Sequence, residues 1–239
     1  MSLADFNNKL IETKEDNIFV YKGFYKGGGV AIGDLNNDGY LDFYLGTGEP
    51  DLKAIIPNRM FLNIDGNKFE EVTMQGGFGH IQKGHAISFA DIDYDGDQDV
   101  YAVMGGAYEG DVFYNALFEN PGNENHWLKI KLIGTKTNKS AFDTKLEIVL
   151  NSGKGKRSIY RRVSSGSSFG ENPNVVEVGF RSDENIETIK IDWPLSGIVE
   201  HKDIESNTFY AITEGEELLE KIPIRPIKLK LNSAHHHHH

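Results

Sequence analysis

The sequence predicts an all-β protein in which propeller-type blades, a partial β-propeller, are followed by a small β-sandwich. Three observations point there. One stretch repeats without gaps, each copy alternates short β-branched or aromatic runs with Asp/Asn/Gly turns, and helical periodicity is nearly absent. The size fits: 239 residues with 38% hydrophobic and 26% charged side chains are enough for two domains with cores of their own, and exclude a mainly disordered chain.

The repeat comes first along the chain. Residues 26–63 match residues 83–120 at one constant spacing, that from Asp34 to Asp91. Lys26 and Gly27 align with Lys83 and Gly84, and Asp34, Asp38, Gly39 and Asp42 with Asp91, Asp95, Gly96 and Asp99. Tyr44, Gly48, Asn58, Phe61 and Asn63 align with Tyr101, Gly105, Asn115, Phe118 and Asn120. Where the copies differ, type is kept, as in Val30-Ala31-Ile32 against Ile87-Ser88-Phe89. Each copy reads as a strand, an acidic loop and a second strand, followed by further strands at 59–62 and 116–118. Units of several strands that cannot bury their faces alone stack side by side as blades. Asn8-Lys9-Leu10 resembles Asn67-Lys68-Phe69 without the acidic loop that should precede it, so the chain is expected to begin mid-repeat of a longer parent, with blades over residues 1–123.

The loops 34–42 and 91–99 carry the chemistry. Oxygen-bearing side chains fall at the first, third, fifth and ninth positions, Asp34, Asn36, Asp38 and Asp42, then Asp91, Asp93, Asp95 and Asp99, with Gly39 or Gly96 at the sixth. A hard cation takes several oxygens, and alternating side chains on a tight turn aim several at one centre while the glycine permits the turn. The seventh residue, Tyr40 or Asp97, is expected to offer its backbone carbonyl, and Asp42 or Asp99 to bind through both oxygens. An EF-hand needs Glu at position 12, where this chain has Leu45 and Ala102. A single Asx-rich turn that caps its own backbone would look similar. Duplication argues against that, as does the crowding of Asp91, Asp93, Asp95, Asp97 and Asp99, whose repulsion calls for a counter-ion. Ca²⁺ suits an all-protein oxygen cage better than Mg²⁺, so two Ca²⁺ sites are expected.

The second half reads as strands at 127–132, 146–150, 158–163, 175–180, 188–193, 198–202 and 208–213, the count of a small sandwich or barrel, placed at residues 124–216. Leu128, Ile130 and Leu132 alternate with Lys129 and Lys131, and Ile189, Ile191 and Trp193 with Lys190 and Asp192, which predicts one buried and one wet face per strand. Residues 217–234 form a proline-broken tail, expected to run extended as a linker or edge strand, and His235 to His239 are an affinity tag.

With these residues in view, the loops resemble FG-GAP/VCBS repeats, the calcium-binding blades of integrin-like β-propellers. The segments Met104-Gly105-Gly106-Ala107, Asn115-Ala116-Leu117-Phe118-Glu119-Asn120-Pro121-Gly122 and Asn125-His126-Trp127-Leu128 resemble the junction of such repeats with an ASPIC/UnbV domain, the C-terminal module of secreted proteins related to cartilage acidic protein. Further landmarks are the stretch from Gly134 to Ala141, Ser164-Ser165-Gly166-Ser167-Ser168-Phe169 and Trp193-Pro194. The chain departs from that family at Phe142-Asp143-Thr144-Lys145 and at Val178-Gly179-Phe180, so no ligand site of the module is carried over. The resemblance implies a secreted, periplasmic or cell-surface protein that binds an extracellular protein or carbohydrate.

Function classes narrow accordingly. A net charge of −11 repels nucleic acid, Cys is absent, and no apolar run is long enough for a membrane helix. No catalytic residue is assigned: the serines at 164–168 lie near Arg161 and Arg162 without a paired base and read as a turn. The expectation is therefore a non-catalytic binding and adhesion module. Its alternative is a fragment of a calcium-dependent polysaccharide lyase or hydrolase with His80 or His85 as base. Tyr94, Tyr108, Phe113 and Tyr114 either stack on sugar rings or a partner, or pack inside the blade. Blade edges left open predict self-association, or coverage by residues 1–25 or the tail.

Overall fold

The computed structural model describes residues 13–14, 28–47, 55–81, 84–105, 113–164 and 172–229, and among them every regular element is a strand. The motifs at Asn8-Lys9-Leu10, Lys26-Gly27, Gly48, Lys83, Tyr108 and Ser165–Ser168 and the tag lie outside the described residues.

The first repeat folds into an antiparallel meander of β1 (Val30–Gly33), β2 (Asp42–Leu45), β3 (Arg59–Ile64) and β4 (Lys68–Glu71). The second forms β5 (Ile87–Ala90), β6 (Asp99–Ala102) and β7 (Ala116–Phe118) in the same order. The acidic loops join the first two strands of each sheet, and Gly33 pairs with Asp42 as Ala90 pairs with Asp99. Strands this short bury too little alone, so the two sheets share one core of Ala31, Tyr44, Met60 and Phe78 with Ile87, Phe89, Val100, Ala102 and Met104. The Tyr44 hydroxyl is satisfied inside it, donating to the Phe78 carbonyl at 2.8 Å. Gly33 has no room for a side chain, since a Cβ there would lie 2.3 Å from the Phe89 ring.

The second half is a sandwich of two four-stranded sheets. One runs β10 (Gly155–Arg162), β9 (Lys145–Ser152), β12 (Asn185–Trp193) and β13 (Gly197–His201). The other runs β11 (Val176–Phe180), β8 (His126–Ile133), β14 (Thr208–Thr213) and β15 (Glu220–Lys221). All pairs are antiparallel except β8 with β14, which run parallel. Leu128, Ile130, Leu146, Ile148, Leu150, Phe180, Ile189, Ile191 and Trp193 fill a core separate from that of the blades. The start of the tail adds an edge strand, β15, on β14.

One expectation of the alternation is overturned. Alternation puts Lys129 on a wet face, yet it is only 4% exposed, because its face of β8 is covered by the second acidic loop. Its neighbour Lys131 is exposed as expected.

Candidate metal centres

The two loops adopt one backbone. Their fourth residues, Asn37 and Tyr94, have φ of 52° and 61°, and their sixth, Gly39 and Gly96, φ of 92° and 103°. These left-handed positions curl the chain so that its own side chains cap it. In the first loop Asp34 accepts from Asp38 N and Gly39 N (both 3.0 Å), Asn36 Oδ1 from Asp38 N (3.2 Å) and Asp38 Oδ1 from Tyr40 N (2.9 Å). In the second, Asp91 accepts from Asp95 N and Gly96 N (both 3.1 Å), Asp93 from Asp95 N (3.3 Å) and Asp95 from Asp97 N (3.0 Å).

Asp91, Asp93 and Asp95 each bring a carboxylate oxygen within 4.8 Å of the others. Such a convergence of hard oxygens fits a divalent cation, and it holds three of the residues singled out from sequence. The first loop has Asn36 at the middle position, where its amide donates to Asp38 Oδ2 at 3.3 Å, so Asp34 and Asp38 supply its charge. The ninth residues, expected to bind an ion through both oxygens, already hold backbone donors on both. Asp42 accepts from Leu35 N (2.8 Å) and Asn63 N (2.7 Å), and Asp99 from Ile92 N (3.0 Å) and Asn120 N (2.8 Å). The two oxygens of each carboxylate thus tie the start of a loop to the third strand of its blade at Asn63 or, in the second blade, to Asn120 just beyond that strand. At the seventh position, Tyr40 places its ring 5.2 Å from the Arg157 guanidinium, while the Asp97 side chain accepts from Asn123 at 2.8 Å.

Burial makes these carboxylates costly to ionise. It pushes Asp34 up to about 6 against the opposing pull of Arg161, and Asp42 up to about 7. Asp93 and Asp97 rise to about 6, by burial and then by the charge of Asp95, and burial raises Asp99 as well. Lys129 at Asp91 and Arg161 at Asp34 offset part of this charge, and a divalent ion would offset more.

The loops touch each other and the sandwich. Asn37 donates its amide to Asp97 Oδ1 and to the Gly96 carbonyl, and Gln98 Oε1 accepts from Asp34 N at 2.7 Å. From the sandwich, Lys129 Nζ lies 2.9 Å from Asp91 and 3.0 Å from Glu177, and Gly179 N donates to Asp34 at 3.1 Å. Arg157 donates to the Asp38 carbonyl at 2.7 Å, and Arg161 lies 3.7 Å from Asp34. The tail joins in, as Ile227 N donates to the Asp93 carbonyl at 2.7 Å. No sequence signal tied any of these partners to the loops; Lys129 read as one of two lysines alternating with Leu128, Ile130 and Leu132.

The two histidines sit apart from these contacts. His80 packs edge-on against Phe118, ring centres 5.3 Å apart, and His85 pairs its backbone with Val103. Among the aromatics, Tyr114 is 97% exposed, Phe113 and Tyr94 are partly so, and Tyr94 lies beneath the Lys129 ammonium.

Comparison with known families gives two matches. Residues 34–102 match the FG-GAP-like repeat, a span that holds both acidic loops, and residues 134–218 match ASPIC and UnbV. No curated protein matches the chain.

Proposed function

We propose that this chain, an FG-GAP-like repeat joined to an ASPIC and UnbV domain, is a non-catalytic, calcium-binding module that works outside the cell or in its envelope and binds an extracellular protein or carbohydrate. The observation that carries the calcium reading is the convergence of Asp91, Asp93 and Asp95 on a loop whose backbone recurs at Asp34, Asn36 and Asp38. These residues, with the seventh-position carbonyls, would hold the ions, and calcium would supply structural cross-linking and charge neutralisation. The expected affinity follows from the proposed location: extracellular calcium modules work at dissociation constants of about 10⁻⁴–10⁻³ M, and sites of this class fill outside a cell and largely empty in a cytosol. Among the described residues no helix is long and apolar enough to cross a membrane.

Calorimetric titration with calcium tests the reading, alongside thermal unfolding with and without EDTA. Binding of two ions and a lower midpoint after chelation are expected. A midpoint indifferent to both EDTA and added calcium would remove the structural role. Glycan-array binding, paired with an activity screen on acidic polysaccharides, separates the binding module from the lyase or hydrolase reading.

A further inference from the structure

In both loops the first aspartate divides its oxygens in the same way. Oδ1 faces inward, accepting from Asp38 N or Asp95 N. Oδ2 accepts from the loop glycine, Gly39 or Gly96, and is then met by the sandwich. At Asp34 the sandwich brings Gly179 N and Arg161, and at Asp91 it brings Lys129. Two copies of one loop are therefore held at the same atom by unrelated groups from β8, β10 and β11. The approach is close elsewhere too. A Cβ on Gly179 would lie 2.2 Å from the Asn37 backbone, and one on Gly96 would lie 2.0 Å from Trp127 Nε1.

We propose that cation loading of the two loops and docking of the sandwich onto the blades form one coupled equilibrium, with the first aspartate of each loop shared between them. The proposal rests on the calcium reading above. Its sign follows from charge and order at the second loop. Lys129 comes to that loop together with Glu177, 3.0 Å from its ammonium, so docking adds no net charge there to oppose a cation, whereas Arg161 brings a positive charge to the first loop. It does fix Asp91, and a carboxylate already oriented costs less to recruit as a ligand. Calcium and docking therefore strengthen each other, and reciprocally.

Trp127 provides the readout, because its indole lies against Gly96 of the second loop, near enough to sensitise terbium bound there. The other tryptophan, Trp193, is buried in the sandwich core and reports that module's unfolding. In the full chain, the double variant Lys129→Met with Glu177→Gln removes the anchor and leaves the local charge sum unchanged. Terbium affinity read through Trp127 should fall roughly tenfold, and calcium should no longer raise the Trp193 midpoint. A folded double variant with wild-type terbium affinity and a wild-type calcium shift would overturn the coupling. Should the variant not fold, the wild-type chain still decides: calcium should slow proteolysis between residues 120 and 125, and equal rates with calcium and with chelator would refute the proposal. A wild-type chain that binds no terbium would sink the calcium reading along with it, whereas binding without coupling removes only the present inference.

Discussion

Among the described residues, Glu214 is the most heavily partnered carboxylate of the sandwich. It is 3% exposed, and its Oε2 accepts from the backbone N–H groups of Thr135, Lys136 and Thr137 at 2.8, 2.8 and 2.7 Å. Oε1 takes the hydroxyls of Thr137 at 2.9 Å and Ser196 at 2.6 Å. Burial alone would raise its pKa, but these bonds outweigh it and hold the group down at about 2. Because the folded value lies below the unfolded one, the stabilisation is complete above the unfolded pKa of about 4.3 and fades as pH falls from there toward 2. Glu214→Gln should therefore cost on the order of 2 kcal/mol at pH 7, roughly half of that at pH 3 and little near pH 2, read by urea denaturation. A second residue-scale test is Gly96→Ala. A Cβ there meets both a φ of 103° and the Trp127 indole, so a loss of about 2 kcal/mol or more is expected. Gly153→Ala, with open space around the new methyl, should stay within about 0.5 kcal/mol.

At the scale of elements, the acidic loop and its flanking strands form one unit closed by the ninth aspartate. Asp42→Ala strips the acceptor from Leu35 N and Asn63 N. Stability should then drop by about 2–3 kcal/mol even in calcium-free buffer, measured by thermal unfolding in EDTA. An effect confined to calcium-loaded protein would make Asp42 a ligand and not a tie. The strands themselves were legible in the sequence, since Leu128, Ile130 and Leu132 or Ile189, Ile191 and Trp193 point at one core and alternation marks such a face directly. Lys129 was misread for a related reason. Alternation says which face of a strand avoids its own core, but not that a loop from another module covers that face. The candidate ligand oxygens could be proposed from sequence because their spacing lies within one loop, and Asp91, Asp93 and Asp95 do converge, whereas Arg161, Gly179 and Glu177 reach the loops only through the packing of whole modules.

The molecule as a whole has two cores with a polar joint between them. Residues 124–220 expressed alone should give dispersed amide NMR signals, because the sandwich closes its own core. Residues 1–123 alone should associate or stay partly unfolded, judged by light scattering, since they lose the cover over both loops. A monomeric 1–123 fragment with a cooperative, calcium-dependent melt would show that the two repeats suffice as a domain. The parallel pairing of β8 with β14 bears on how the chain is made. Leu128 sits beside Thr208 and Ile133 beside Thr213, so the strand that carries Lys129 leaves the ribosome long before the neighbour that completes its sheet. At translation rates of about 5–20 residues per second the gap is roughly ten seconds. Through that interval the nascent chain presents β8 with both edges unpaired until β11 emerges and one edge unpaired thereafter, and the second acidic loop waits beneath an unfinished lid.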